Sequence, residues 1–309
     1  MSFLAVCLNS TLQKTLCFPS IIPGTVNRTG IHRLDIAGKG INVTRVLTQL
    51  GKKAVHLTQL GGNLRSLFLS LCEQDGLSVE WVESGSQIRL CYTLITENDS
   101  DVTELVEESE PVGAGTEERV LEKFDSLLWE LSPDLKCLIV SGTKADGFSD
   151  DAIPLMVRKA KEKGPRVILD IKGKDLMTSL QYAPDIIKPN LFEFASTFAP
   201  YLVNDHDLVI NDTDITDSIR FPMLDVAQKY GCKIILTDGS RKIRAADKDS
   251  YFEVELEPVK TVNSIGCGDA FTAGLAAALE DGANFNEAIA EGSRCGALNA
   301  GLIKPGVIR

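Results

Sequence analysis

The sequence predicts an α/β fold, a doubly wound and mostly parallel sheet that carries a small β lid. Three observations lead there. Short apolar runs suited to buried strands alternate with amphipathic stretches suited to helices, most regularly from residue 117 onward. One pair of alternating strands, 86–96 and 102–106, interrupts that rhythm and reads as a hairpin set apart from the main sheet. A glycine-rich turn, Gly266-Cys267-Gly268, opens a late helix of small and apolar residues, as phosphate-handling α/β proteins require.

The elements follow in order. Residues 4–8 form a buried strand, and the polar stretch 9–30 is broken by Pro19, Pro23 and Gly24. Ala37-Gly38-Lys39-Gly40-Ile41-Asn42 is a tight turn, after which Val43, Val46, Leu47 and Leu50 recur at helical spacing up to Gly51. A strand at 54–60 ends at Gly61-Gly62 and leads to a helix over 64–74. The hairpin strands turn at 97–101, and together with part of 12–35 they make the lid; the whole chain, 1–309, is one domain whose lid spans about 10–35 and 86–107. Helices at 117–131 and 151–163 precede strands at 136–141 and 166–171. A short strand at 185–188, a helix at 222–230, a strand at 233–237 and helices at 270–281 and 286–300 complete the chain. The Asp-rich stretch 204–217 lacks the glycine and terminal glutamate of a calcium loop and reads as an exposed insertion.

Composition narrows the function classes. With 309 residues, 44% of them hydrophobic, the chain can bury a large core. The 43 acidic against 32 basic residues give a net charge of −11, which argues against nucleic-acid or anionic-membrane partners. The eight cysteines contain no C-x-x-C pair and no zinc spacing with the three histidines, so they read as reduced thiols. The first residues lack the basic flank of a signal peptide, and no unbroken apolar stretch is long enough to span a bilayer, which predicts a cytoplasmic protein.

Candidate chemistry gathers where strands of a parallel sheet end: at Ser141-Gly142-Thr143, Lys188-Pro189-Asn190 and Thr237-Asp238-Gly239. The strongest stretch is Val262-Asn263-Ser264-Ile265-Gly266-Cys267-Gly268-Asp269. Free N–H groups at the start of the following helix would hold an anion, and the carboxylate of Asp269 beside them would take a proton from an attacking hydroxyl. The plainer alternative is an ordinary turn with a capping aspartate. The Gly-Lys-Gly turn lets backbone approach a ligand and brings one cation, Lys39, although a solvated lysine on a turn would look the same. No Walker A loop is present. Arg89 inside the hairpin is either a cation facing the site or an outward strand residue. Cys267 at a helix N-terminus is either an acidified, reactive thiol or a small buried spacer.

Three stretches in this order resemble the phosphofructokinase B branch of the ribokinase-like carbohydrate kinases, the hexose-phosphate kinases in particular. Asn263-Ser264-Ile265-Gly266-Cys267-Gly268-Asp269 is similar to the D-T-x-G-A-G-D signature of that family. Ala37-Gly38-Lys39-Gly40-Ile41-Asn42-Val43 is similar to its A-G-K-G-I-N-V signature, and Lys188-Pro189-Asn190-Leu191-Phe192-Glu193 to its K-P-N-x-x-E segment. The resemblance implies a ribokinase-like fold and an ATP- and Mg²⁺-dependent kinase of a phosphorylated ketohexose, fructose 1-phosphate first and tagatose 6-phosphate second. It implies that Asp269 is the base and that Gly266, Cys267 and Gly268 form the anion hole. Gly38, Lys39, Gly40, Asn42, Arg89, Glu104 and Gln13 would face the sugar, Lys39 and Arg89 gripping its phosphate. Lys188, Asn190, Thr237, Gly239, Gly268 and Asn299 would line the nucleotide site, with Asn190 and Glu193 holding Mg²⁺ through water. A homodimer paired through the lids is implied as well.

Departures from the pattern leave the substrate open. The N-P-x-x-D of the family is here Asn9-Ser10-Thr11-Leu12-Gln13, so Gln13 replaces a charged sugar ligand. The nucleotide loop reads Thr237-Asp238-Gly239-Ser240-Arg241-Lys242, one glycine fewer and more basic than S-x-G-A-x-G. Two other functions therefore compete: a kinase of an unphosphorylated sugar or nucleoside, and a catalytically silent sensor of a sugar phosphate.

Overall fold

The computed structural model describes residues 2–96, 101–204, 208 and 212–309. Its main sheet has nine strands in the order β13-β12-β11-β10-β9-β8-β1-β4-β5. These are β1 Ser2–Val6, β4 Lys53–Leu60, β5 Ser78–Glu83, β8 Leu135–Ser141, β9 Arg166–Asp170, β10 Ile186–Ile187, β11 Lys233–Thr237, β12 Lys242–Ala246 and β13 Tyr251–Glu255. All neighbours from β5 to β11 pair in parallel, while β12 and β13 run antiparallel at one edge. The chain builds outward from β1 through β4 to β5, then returns to β8 on the other side of β1. That reversal opens a crevice beyond the C-terminal ends of β1 and β8, where ligands of such sheets collect.

Helices α1 Lys39–Gln49, α8 Cys267–Glu280 and α9 Phe285–Ala300 cover one face; α3 Thr116–Glu130, α4 Ala152–Lys163, α6 Leu191–Phe198 and α7 Asp212–Tyr230 cover the other. Strand alternation divides the core accordingly. Phe3, Ala5, Cys137, Ile139, Ile168 and Ile235 meet Val43, Val46, Ala270 and Leu275 on the first face. Leu4, Val6, Leu138, Val140, Leu169 and Leu236 meet Phe124, Met156, Phe194 and Ile219 on the second. Both faces of the central strands are dry, and each large side chain so buried contributes about 1.5–3 kcal/mol.

A second sheet holds β2 Thr11–Phe18, β3 Ile31–Ala37, β6 Arg89–Thr96 and β7 Asp101–Val106 in the order β3-β2-β6-β7. Between the sheets, Leu12, Ile36, Ile41, Leu60, Phe68 and Ile88 form a satellite core with α2 Arg65–Gln74. Positions 97–100 of the expected hairpin turn lie outside the described residues.

Several elements differ from the sequence reading. Strand β5 (S-V-E-W-V-E) was not anticipated, because an edge strand with two glutamates carries little apolar signal. Helix α6 was missed because its aromatic run L-F-E-F-A-S-T-F suits a strand equally well. The hairpin β12–β13 and the short helix α5 Gly173–Ser179 were also missed. Helix α7 begins at Asp212, not near residue 222: Ile215, Ile219, Met223 and Val226 are buried at helical spacing, and Pro222 is accommodated within the helix. The stretch read as an exposed insertion thus supplies a core helix from 212 onward, while 205–207 and 209–211 lie outside the described residues.

Candidate active site

Helix α8 starts abruptly because its N-terminal loop is clamped from behind. The N–H groups of Val262 and Asn263 donate to Ala300 O at 2.7 and 3.1 Å. The buried Asn263 side chain donates to Ile303 O at 2.8 Å and accepts from Ile265 N–H at 3.0 Å. Gly266 then turns with φ +85°, and a Cβ there would sit 2.8 Å from the Gly306 nitrogen and 2.9 Å from Asn299 Oδ1. Only glycine fits. The first-turn N–H groups of Gly268 and Asp269 have no acceptor within the helix and face the crevice with the positive end of its dipole.

A cluster of five charges stands before this helix end. Asp170, at the C-terminal end of β9, is 1% exposed. Its Oδ1 lies 3.1 Å from Lys39 Nζ and its Oδ2 3.2 Å from Lys188 Nζ, and Thr272 Oγ1 on α8 is 3.0 Å from Oδ2. Lys39 Nζ also lies 3.8 Å from Glu193 Oε1. Asp269, 6% exposed, accepts from Asn42 Nδ2 at 2.8 Å. The two aspartates are electrostatically distinct. Burial pushes Asp269 up to about 6, only partly countered by Lys39. Burial acts on Asp170 in the same sense, but Lys188 and Lys39 overcome it and hold that carboxyl below its ordinary value. Neighbouring carboxyls driven apart in this way separate a permanent anion from a group able to exchange a proton near neutrality. Burial lowers the Lys39 ammonium, yet Asp170, Glu193 and Asp269 together raise it above its ordinary range.

The Gly-Lys-Gly turn sits where it does because the backbone must pass close to β1 and β4. A Cβ on Gly40 would fall 2.6 Å from His56 Cε1 and 2.7 Å from Cys7 Cβ. This packing sets Lys39 at the start of α1, in front of β8 and β9, and Asn42 one turn later against Asp269.

The ends of β10 and β11 supply the far wall. Asn190 caps α6 in a reciprocal box: its Oδ1 accepts from Glu193 N–H at 2.7 Å, and Glu193 Oε2 accepts from Asn190 N–H at 3.0 Å. Asn190 bridges to Thr237, and Gly239 follows on an exposed turn. The extra positive charge of the 237–242 loop is spent internally. Arg241 pairs with Asp238 at 2.8 Å, and Lys242 with Glu253 and Glu255 at 2.8 and 3.2 Å.

The chain matches the pfkB family carbohydrate kinase profile over residues 4–304. It belongs to that family. This PfkB-family carbohydrate kinase is 27% identical over 299 residues to the tagatose-6-phosphate kinase of Staphylococcus epidermidis, covering 96% of its own length and 91% of that protein. Its fold matches phosphofructokinase-2 from Escherichia coli, solved in complex with substrates and products, with TM-score 0.84 at 20% identity over 97% of this chain and 93% of that one. It also matches Arabidopsis thaliana ribokinase complexed with ribose and ATP, with TM-score 0.71 at 14% identity over 98% and 94%.

In this kinase the expected site residues fall into two groups. Asp269, Gly266, Cys267, Gly268, Lys39, Asn42, Lys188, Asn190 and Glu193 surround the α8 N-terminus. Gln13, Arg89 and Glu104 stand on the small sheet. Gln13 is buried and donates to Thr93 Oγ1, with Glu104 Oε1 at 3.5 Å. Arg89 reaches Glu107 O at 3.5 Å through Nη1, but its Nε is buried without a partner. A guanidinium nitrogen left unpaired invites an anion.

Two of the expected residues are packed into the turn itself. Asn299, expected to line the nucleotide site, is fully buried; it accepts from Gly306 N–H at 3.0 Å, bracing the Gly266 turn, and its Nδ2 has no partner. Of the two readings of Cys267 the small spacer is favoured: burial, with Asp269 nearby, pushes its thiol up to about 12, and its Sγ lies 3.8 Å from Asn263 O. Asp170 and Thr93 were missed. An aspartate closing the apolar run R-V-I-L-D was the available signal for the first; nothing in the sequence marks Thr93.

No helix among the described residues is long and apolar enough to cross a membrane, and no group of three or more His, Cys, Asp or Glu side chains gathers there as a metal cage. The donors at Asn190 and Glu193 are hard oxygens engaged in the capping box, with Glu193 Oε1 facing Lys39. That set suits Mg²⁺ held through water and substrate phosphates rather than by a closed protein shell.

Proposed function

We propose that the protein transfers the γ-phosphoryl group of ATP to a hydroxyl of a phosphorylated ketohexose, fructose 1-phosphate and tagatose 6-phosphate being the acceptors of choice. One observation carries this reading: a buried carboxyl tuned toward neutrality, Asp269, shares the α8 N-terminus with Lys39 and Lys188. Asp269 takes the proton of the acceptor hydroxyl as it attacks. The N–H groups of Gly268 and Asp269 hold the charge on the transferring group, and Lys188 lies beside them. Asn190 and Glu193 would hold Mg²⁺ through water, which supplies neutralising charge to the donor phosphates. Arg89, with its unpaired Nε, takes the phosphate already on the sugar, and Gln13 and Glu104 reach its hydroxyls.

The small sheet would then act as a lid over the acceptor. Ile31, Leu105 and Val106 are each at least half exposed on it, and we infer that two copies pair through these faces.

ADP release from MgATP tests the reading with fructose 1-phosphate, tagatose 6-phosphate, fructose 6-phosphate, fructose, ribose and adenosine as acceptors. Turnover confined to phosphorylated ketohexoses supports it. Turnover only on neutral acceptors removes Arg89 from its role, and binding of a sugar phosphate with no turnover points to a sensor.

A further inference from the structure

A buried arginine decides which way the amide beside Asp269 points. Arg45 lies on α1 three residues after Asn42 and is 3% exposed. Its Nη1 donates to Asn42 Oδ1 at 2.9 Å and to Pro305 O at 3.0 Å. Its Nη2 donates to Ile36 O at 2.9 Å, and its Nε to Asp75 Oδ2 at 2.9 Å. A guanidinium has donors and no acceptor, so the Asn42 atom that meets it must be the amide oxygen. An ionised carboxylate only accepts, so the Asn42 atom that meets Asp269 must be the amide nitrogen, as found at 2.8 Å. Both ends of the chain Arg45–Asn42–Asp269 demand the same orientation.

We propose that Arg45 is a positioning residue for catalysis: it locks the Asn42 amide in the orientation that donates to Asp269 and so keeps the base aimed at the acceptor hydroxyl. Arg45 is suited to this because its own geometry is set by three other partners, on β3, at the end of α2 and in the C-terminal segment. Without it the amide can rotate and turn its oxygen toward the carboxylate, which repels it. The inference rests on Asp269 being the base.

A double-mutant cycle on kcat tests it, using Asn42→Ala, Arg45→Met and the pair, with Arg45→Lys as a variant that keeps a cation facing Asp75. Loss of a hydrogen bond to a charged group predicts about a tenfold fall in kcat for each single variant. In the Arg45 variants KM for both substrates should stay within about twofold, a split that a general loss of structure would not produce. Because Arg45 acts through Asn42, the double variant should fall no more than about twofold below Asn42→Ala. Arg45→Lys, which cannot span Asn42 and Pro305 together, should behave like Arg45→Met and serves if the methionine variant fails to fold. The drop in Tm caused by removing Arg45 should persist in the Asn42→Ala background, separating its structural part from its catalytic one. Multiplicative losses in kcat, or wild-type kcat in both Arg45 variants, would overturn the proposal. If Asp269→Asn itself retained kcat, the base assignment would fail instead, whatever the cycle returned.

Discussion

Asp269→Asn should make the protein less active and more stable, and the two effects have one origin. Burial holds the Asp269 carboxyl at about 6 in the folded chain, against its ordinary value of 3.8 when unfolded. At pH 7 the native state therefore carries a buried charge that the unfolded state solvates freely. The difference of about two pKa units corresponds to about 3 kcal/mol of lost stability. The sign follows from proton counting. Between pH 4 and 6 the folded state binds more protons than the unfolded one, so stability declines as pH rises through that window and is level above it. An asparagine never ionises and avoids the loss, while its side-chain oxygen can still accept from Asn42. The variant should thus gain about 3 kcal/mol above pH 6.5, or about 4 °C in Tm for a chain of this size, and most of that gain should vanish by pH 4.5. In parallel kcat should fall at least about 10²-fold, the usual contribution of a general base. Thermal melts of both proteins from pH 4.5 to 8, with turnover measured on the same samples, read both quantities. A variant no more stable than the parent at pH 7.5, or a gain that does not depend on pH, would refute the buried-charge argument; unchanged kcat would refute the base.

Three further outcomes are expected. Arg89→Met should raise KM for a phosphorylated sugar at least about tenfold, because the sugar phosphate loses the unpaired guanidinium donor, while KM for ATP holds; steady-state kinetics with each substrate varied in turn checks this. Cys267 should resist iodoacetamide at pH 7.5 with or without MgATP, since its thiol is pushed up to about 12, and rapid mass-detected labelling of the free protein would contradict that. Light scattering coupled to gel filtration should find a dimer that Leu105→Lys converts to monomer, Leu105 being 53% exposed on the small sheet.

Asp170 has a place in the same electrostatic scheme. It neutralises Lys39 and Lys188, at 3.1 and 3.2 Å. Two ammonium groups crowded at a helix N-terminus would otherwise repel each other and the helix dipole. In the proposed reaction the same lysines would share their charge with the donor and acceptor phosphates without moving far.

Much of this was legible from local pattern. The β-α alternation, the small sheet, the Gly-Lys-Gly turn and the α8 N-terminus each depend on residues close together in the chain, where glycine, helical spacing and strand alternation act directly. Elements were misread where local signal and packing diverge. The aromatic run of α6 becomes helical because Asn190 and Glu193 cap it and Phe194 fills the core, and the segment before Pro222 is helical because Ile215 and Ile219 face the sheet. The N-x-x-E pattern is in itself a helix-capping signal, so its structural use could have been read alongside its link to magnesium.

The sequence by itself determined the fold class, the family and the presence of a carboxylate, Asp269, at a glycine-rich helix start, because those are short-range chemical patterns. Tertiary structure alone decided how the charges act. Asp269 owes its raised pKa to burial, Asp170 joins Lys39 across 131 positions of chain, and Arg45 meets Asn42, Pro305, Ile36 and Asp75 at one point. Desolvation and hydrogen-bond direction depend on which distant groups exclude water and which atoms face each other, and no local window of sequence contains that information.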